Sequence, residues 1–135
     1  MYITGTEDAS TDQYTLTTAW DLTTAVHGGT FGFAASSGET GPMNVTFNND
    51  GTKMFMLGRG QDGVYEYSLS TAFDVSTLTF TQELDIGSAV AADSGRETAA
   101  NSIEFNPDGT KVWTKFLGGM GHEAGTGIKV GSDGA

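Results

Sequence analysis

The chain repeats itself, and a repeat of this kind fixes the architecture before any single residue is weighed. Residues 1–25 align without gaps to residues 54–78. The identities are Met1/Met54, Gly5/Gly58, Tyr14/Tyr67, Leu16/Leu69, Thr18/Thr71, Ala19/Ala72, Asp21/Asp74 and Thr24/Thr77. Conservative pairs such as Tyr2/Phe55, Trp20/Phe73 and Leu22/Val75 lie between them, and at the same offset of 53 residues Phe31 and Phe33 fall on Leu84 and Ile86. A second alignment, at an offset of 58, pairs VTFNNDGTK (45–53) with IEFNPDGTK (103–111). The two offsets differ by five residues, and the difference lies between Ile86 and Asn101, where SAVAADSGRETAA stands against the shorter AASSGETGPM. A small signature recurs even there, Ser37-Gly38-Glu39-Thr40 against Ser94-Gly95-Arg96-Glu97-Thr98.

Within one repeat the periodicity is that of strands. Val45 and Phe47 alternate ahead of Asp50-Gly51, a pair suited to a tight hairpin. Lys53 to Leu57 is apolar on both faces, as a strand covered from two sides should be. Tyr65, Tyr67 and Leu69 alternate with polar or smaller residues, and Phe80, Leu84 and Ile86 alternate with Thr79, Thr81, Glu83 and Asp85. The expected unit is therefore four short antiparallel strands. No segment carries an amphipathic stripe long enough for a stable helix.

This pattern, F-N-x-D-G-T-K followed by Y-x-L-[ST]-x-A-[FW]-D-[VL]-[ST], resembles the β-propeller repeats found in bacteriophage and marine-bacterial extracellular proteins. In style these are related to YVTN-type and WD-repeat-like blades. The resemblance covers residues 1 to about 116 and implies an all-β fold of four-stranded antiparallel propeller blades. On that reading residues 1–42 are a partial first blade (strands 2 to 4), 43–101 a complete blade plus loop, and 102–135 the start of a third blade and a Gly-rich tail. The chain then holds about two to two and a half blades, fewer than the about four to eight of a closed ring. It is thus expected either to form a homo-oligomeric ring closed by strand exchange between protomers or to be a fragment of a longer propeller. The expected buried residues are Phe31, Phe33, Val45, Phe47, Met54, Phe55, Met56, Tyr67, Leu69, Phe80, Leu84, Ile86, Ile103, Phe105 and Val112. The aromatic pairs Trp20/Phe73 and Tyr14/Tyr67 read as core between blades.

Composition narrows the function classes. Six Lys and Arg against 17 Asp and Glu leave a net charge of −11, which repels phosphate backbones and anionic headgroups and so excludes nucleic-acid and membrane-surface partners. With no Cys, thiolate nucleophiles, disulfides and Cys-ligated zinc are excluded. The two His residues, His27 and His122, are too few for a transition-metal site within one chain. The Asn-x-Asp-Gly turns have oxygen ligands for calcium, but Asn, Asp and Gly are also what a hairpin turn requires, and no bidentate Glu follows. No metal, cofactor or catalytic residue is expected, and the chain reads as a non-enzymatic structural or interaction module. The alternative is a lectin-like module. The repeated loop residues Glu39, Thr40, Arg96, Glu97 and Thr98 would then present hydroxyl and carboxylate groups to a glycan. The competing role for those residues is to satisfy backbone groups where the chain passes between blades.

Overall fold

The computed structural model describes residues 1–86, 100–106, 109 and 112–113 of the chain. Their regular elements are strands and two three-residue 3-10 turns. Strands β1 (Tyr2–Gly5), β2 (Ser10–Leu16) and β3 (Ala25–Gly32) form a first sheet in sequential order. Strands β4 (Pro42–Phe47), β5 (Lys53–Gly58), β6 (Gly63–Leu69) and β7 (Leu78–Asp85) form a second sheet in the same manner. A short pair, β8 (Glu104–Phe105) and β9 (Val112–Trp113), makes a third. Every pairing is antiparallel, so the all-β, antiparallel expectation holds.

The sequence offset of 53 is kept element by element. It carries β2 onto β6, β3 onto β7, and the 3-10 turn Leu22–Thr24 onto Val75–Thr77. The bulge at Gln13/Tyr14 recurs at Glu66/Tyr67. Left-handed backbone recurs too, at Ala9 and Asp62 (φ 48° and 53°) and at Trp20 and Phe73 (φ 66° and 61°).

Local side-chain chemistry explains why these sequences turn where they do. At the β4–β5 turn the Asp50 carboxylate accepts from the Thr52 backbone N–H (3.0 Å) and hydroxyl (2.5 Å), and Asn48 Oδ1 accepts from the Lys53 N–H at 2.9 Å. Gly51 is at φ 71°, and a Cβ there would lie 2.4 Å from the Phe73 ring. Glycine is required on both counts. Before each 3-10 turn an aspartate caps the first free N–H. Asp21 accepts from Thr23 N and Asp74 from Ser76 N, both at 3.0 Å. Thr24 Oγ1 then accepts from Thr18 N (3.1 Å), and Thr77 Oγ1 from Thr71 N (3.2 Å). The Thr-Ala-aromatic-Asp motif is a self-capped corner between strands.

The inner strands of the second sheet, β5 and β6, are covered on both faces. The sheet's front face turns Met54, Met56, Tyr65, Tyr67 and Leu69 toward the first sheet, where Phe33 is fully buried and Tyr2 and Phe31 pack against them. Two hydrogen bonds tie the sheets together: Tyr2 Oη donates to the Phe73 carbonyl (2.7 Å), and Val75 N donates to Gln13 Oε1 (2.9 Å). Its back face turns Phe55, Leu57 and Val64 toward Ala100, Ile103 and Phe105. The alternation of Met54 and Met56 with Phe55 and Leu57 therefore places one set in each core.

Four expected core residues depart from this picture. Leu84 is 53% exposed and Phe80 37% exposed. Both lie on β7, the outer strand of the second sheet, and the described part of each neighbouring sheet stops short of it. Trp20 is 96% exposed and Phe73 43%. Phe73 rests edge-on over its own β4–β5 turn, whereas Trp20, at the equivalent corner, projects from the first sheet with no such turn beneath it among the described residues. The Val112 side chain and the tail 114–135 lie outside the described residues.

Candidate functional site

Of the repeated loop residues, Glu39 and Thr40 fall within the described residues; Arg96, Glu97 and Thr98 lie outside them. Glu39 is completely buried. Its Oε1 accepts from the backbone N–H groups of Gly41 (2.5 Å) and Gly60 (2.8 Å), and its Oε2 accepts from Gln61 N (3.0 Å) and the Tyr65 hydroxyl (3.2 Å). The carboxylate bridges the segment entering β4 and the β5–β6 turn, and it turns inward rather than toward solvent. Burial, and next the Glu39 charge, raise the Tyr65 phenol far above its ordinary pKa, so it stays a hydrogen-bond donor. Glycine makes room for this arrangement: a Cβ on Gly58 would lie 2.3 Å from Glu39 Oε2, and one on Gly60 2.4 Å from Oε1. Thr40 is exposed beside it.

His27 lies on the outward face of the first sheet. Its Nε2 is 3.2 Å from Asp12 Oδ1 and 3.1 Å from Thr30 Oγ1, and the Thr30 hydroxyl also donates to Asp12. A relay would need the carboxylate on one ring nitrogen and the hydroxyl on the other. Here both meet the same nitrogen, so the trio is a closed surface network. Among the described residues no three His, Asp or Glu side chains are arranged to hold a metal ion.

The same hydrogen bonds set an acid limit on the fold. The hydroxyl of Thr30 holds Asp12 below the usual carboxylate range, those of Thr23 and Thr52 do so for Asp21 and Asp50, and Lys53 does so for Glu66. Each group has a folded pKa below its unfolded value. Its contribution is fully present above the unfolded pKa of about 4 and fades as pH falls through the folded one. Melts followed by circular dichroism are expected to lose midpoint temperature progressively from about pH 5 down to about pH 2. An unchanged midpoint across that range would show that these bonds do not differ between the folded and unfolded chain.

Three surfaces are open among the described residues; the strand exchange expected from the repeat concerns the first, and the other two were not read from the sequence as sites. The first is the edge of β1. Among the described residues β1 pairs with β2 alone, whereas its equivalent β5 is flanked by β4 and β6. The second is the outward face of the first sheet, where Met1, Ile3 and Leu22 are 42%, 50% and 67% exposed. These residues correspond to Met54, Met56 and Val75, all fully buried in the second sheet. The third is a cleft of about 460 Å³ between the β4–β5 turn and β8, bordered by Phe47, Asp50, Phe55, Phe105 and Gly109. The signal that could have found them is the repeat itself, read for what the first copy lacks.

The fold defines an all-β repeat protein of stacked antiparallel sheets. Compared with protein-family models, curated protein sequences and solved structures, the chain matches none.

Proposed function

We propose that the chain is a non-enzymatic interaction module whose sheets are blades of a β-propeller, completed when copies join head to tail. In this arrangement β8 of one copy pairs along the open edge of β1 in the next. The observation that carries the reading is the edge of β1, unpaired among the described residues, beside an outward face that repeats a buried one. By the repeat, β9 corresponds to Met54–Phe55 and β1 to Phe55–Gly58, so the incoming β1 takes the place that β9 holds in the single chain. The resulting blade would be β8 followed by β1, β2 and β3 of the neighbour. Its front face would cover the back face of the second sheet, including Leu84. A contact between different surfaces of identical copies closes into a ring when the rotation allows. With two blades per copy, a dimer gives about four and a trimer about six.

Light scattering on a size-exclusion column tests this: a discrete dimer or trimer is expected, and a folded monomer at all concentrations overturns it. A β1 variant adds direction. Met1 and Tyr14 exchange both backbone hydrogen bonds, 2.8 Å each way. In the alternating ladder Ile3 and Gly5 then also face β2, while Tyr2 and Thr4 aim their N–H groups at the open edge. Thr4→Pro removes one of those outward donors and leaves the β1–β2 backbone bonds in place. It is expected to abolish assembly while the chain keeps its strand signal in circular dichroism.

A further inference from the structure

Trp20 has the environment of a residue waiting for a partner. It is 96% exposed, and its backbone is held in the left-handed region at φ 66°. For a bulky non-glycine residue that conformation costs on the order of 1–3 kcal/mol and persists where surrounding contacts impose it. The equivalent residue, Phe73, has those contacts. Its N–H donates to the Gly51 carbonyl (3.0 Å), its ring lies over Gly51 and 5.7 Å from the Phe47 ring, and its carbonyl accepts from Tyr2 Oη (2.7 Å). The seat under Phe73 is thus a phenylalanine ending a strand, then a turn glycine with positive φ.

The chain contains a second seat of the same construction. Phe105 ends β8 as Phe47 ends β4, and Gly109 has φ 71°, the same value as Gly51. The turn bond recurs as well: Gly51 N donates to Asn48 O at 3.1 Å and Gly109 N to Asn106 O at 2.8 Å. Even the flanking ring is supplied, since Phe55 lies 4.3 Å from Phe105 as Tyr2 lies 4.6 Å from Phe47. The difference is occupancy: a Cβ on Gly51 would strike the Phe73 ring at 2.4 Å, while one on Gly109 meets nothing within 4 Å among the described residues. Phe105, Gly109 and Phe55 all border the 460 Å³ cleft.

We infer that the Trp20 indole of one copy seats on Phe105 and Gly109 of a second copy, inside that cleft, in the way Phe73 seats on Phe47 and Gly51. The inference rests on the head-to-tail reading above and names its anchor. The same corner motif that stabilises one blade internally would then lock the blade shared between two copies. A large aromatic filling a pocket at the centre of a contact is the residue type on which association energies concentrate.

The test uses the full chain with Trp113→Phe, so that emission reports Trp20 alone. On raising the concentration through the assembly range, the emission maximum is expected to move to shorter wavelength as the indole leaves water. Trp20→Phe, which restores the residue found at position 73, is expected to retain assembly. Trp20→Ala is expected to weaken it at least about tenfold. Gly109→Asn, which tolerates a left-handed backbone but places a Cβ in the seat, is expected to weaken it likewise. Assembly with solvent-like Trp20 emission, or with undiminished affinity in Trp20→Ala, removes the tryptophan seat and leaves the ring reading standing. A chain that stays monomeric with Trp20 exposed removes both.

Discussion

Glu39→Ala is expected to lower the unfolding free energy by about 3–5 kcal/mol, since each buried donor left unsatisfied costs about 1–3 kcal/mol. The variant leaves the N–H groups of Gly41, Gly60 and Gln61 and the Tyr65 hydroxyl without their acceptor in a site closed to solvent. For a domain with about 5–15 kcal/mol in all, this is a large fraction. Gly58→Ala reaches the same end from the other side, because its Cβ would lie 2.3 Å from Oε2 and the carboxylate would have to leave. Gly58→Ala in the Glu39→Ala background, by contrast, is expected to cost little. Urea unfolding of the two single variants and the double variant forms a cycle with a coupling energy of at least about 2 kcal/mol. Additive losses would show that the carboxylate and the glycine do not act on one another.

The second large effect concerns Tyr67. Tyr67→Ala is expected to cost about 3–5 kcal/mol, as for other fully buried aromatic residues truncated in a core. Its ring lies 5.5 Å from Phe31, 5.6 Å from Phe33 and 5.7 Å from Phe80, and its hydroxyl donates to Ser37 Oγ at 2.8 Å. It packs the core of the second sheet against Phe31 and Phe33 of the first repeat. Tyr14 is the identical residue at the identical place in the preceding repeat. There the ring is half-buried and lies edge-on to His27, at 5.3 Å. Tyr14→Ala is expected to cost under about 1 kcal/mol in the isolated chain. Equal losses for the two variants in urea unfolding would mean that the first sheet's outward face is already covered.

That pair of tyrosines marks the boundary between what the sequence determines and what it leaves open. Strand positions, turns and the order of pairing were legible because they depend on neighbours a few residues away. Alternation places Met54 and Met56 opposite Phe55 and Leu57. Asp50-Gly51-Thr52 closes its own hairpin, and Asp21 and Asp74 cap their own corners. Each of these is settled by local hydrogen bonds and φ preferences that the residue types impose wherever the chain folds. The repeat is legible for the same reason.

Burial was legible only in part, because it depends on what stands across the sheet. Tyr14 and Tyr67, or Trp20 and Phe73, have the same local pattern; one member of each pair faces a packed sheet or turn and the other does not. Phe80 and Leu84 carry the alternation of a core strand yet are exposed on the outer strand of their sheet. Glu39 was legible as a repeated polar loop residue, but its direction was not. Nothing adjacent to it in sequence reveals that the β5–β6 turn, about twenty residues further on, presents two unpaired N–H groups to it and leaves, at Gly58 and Gly60, the room for a carboxylate. The tertiary structure decided these cases, since a buried charge is tolerated only where donors from separate parts of the chain converge on it.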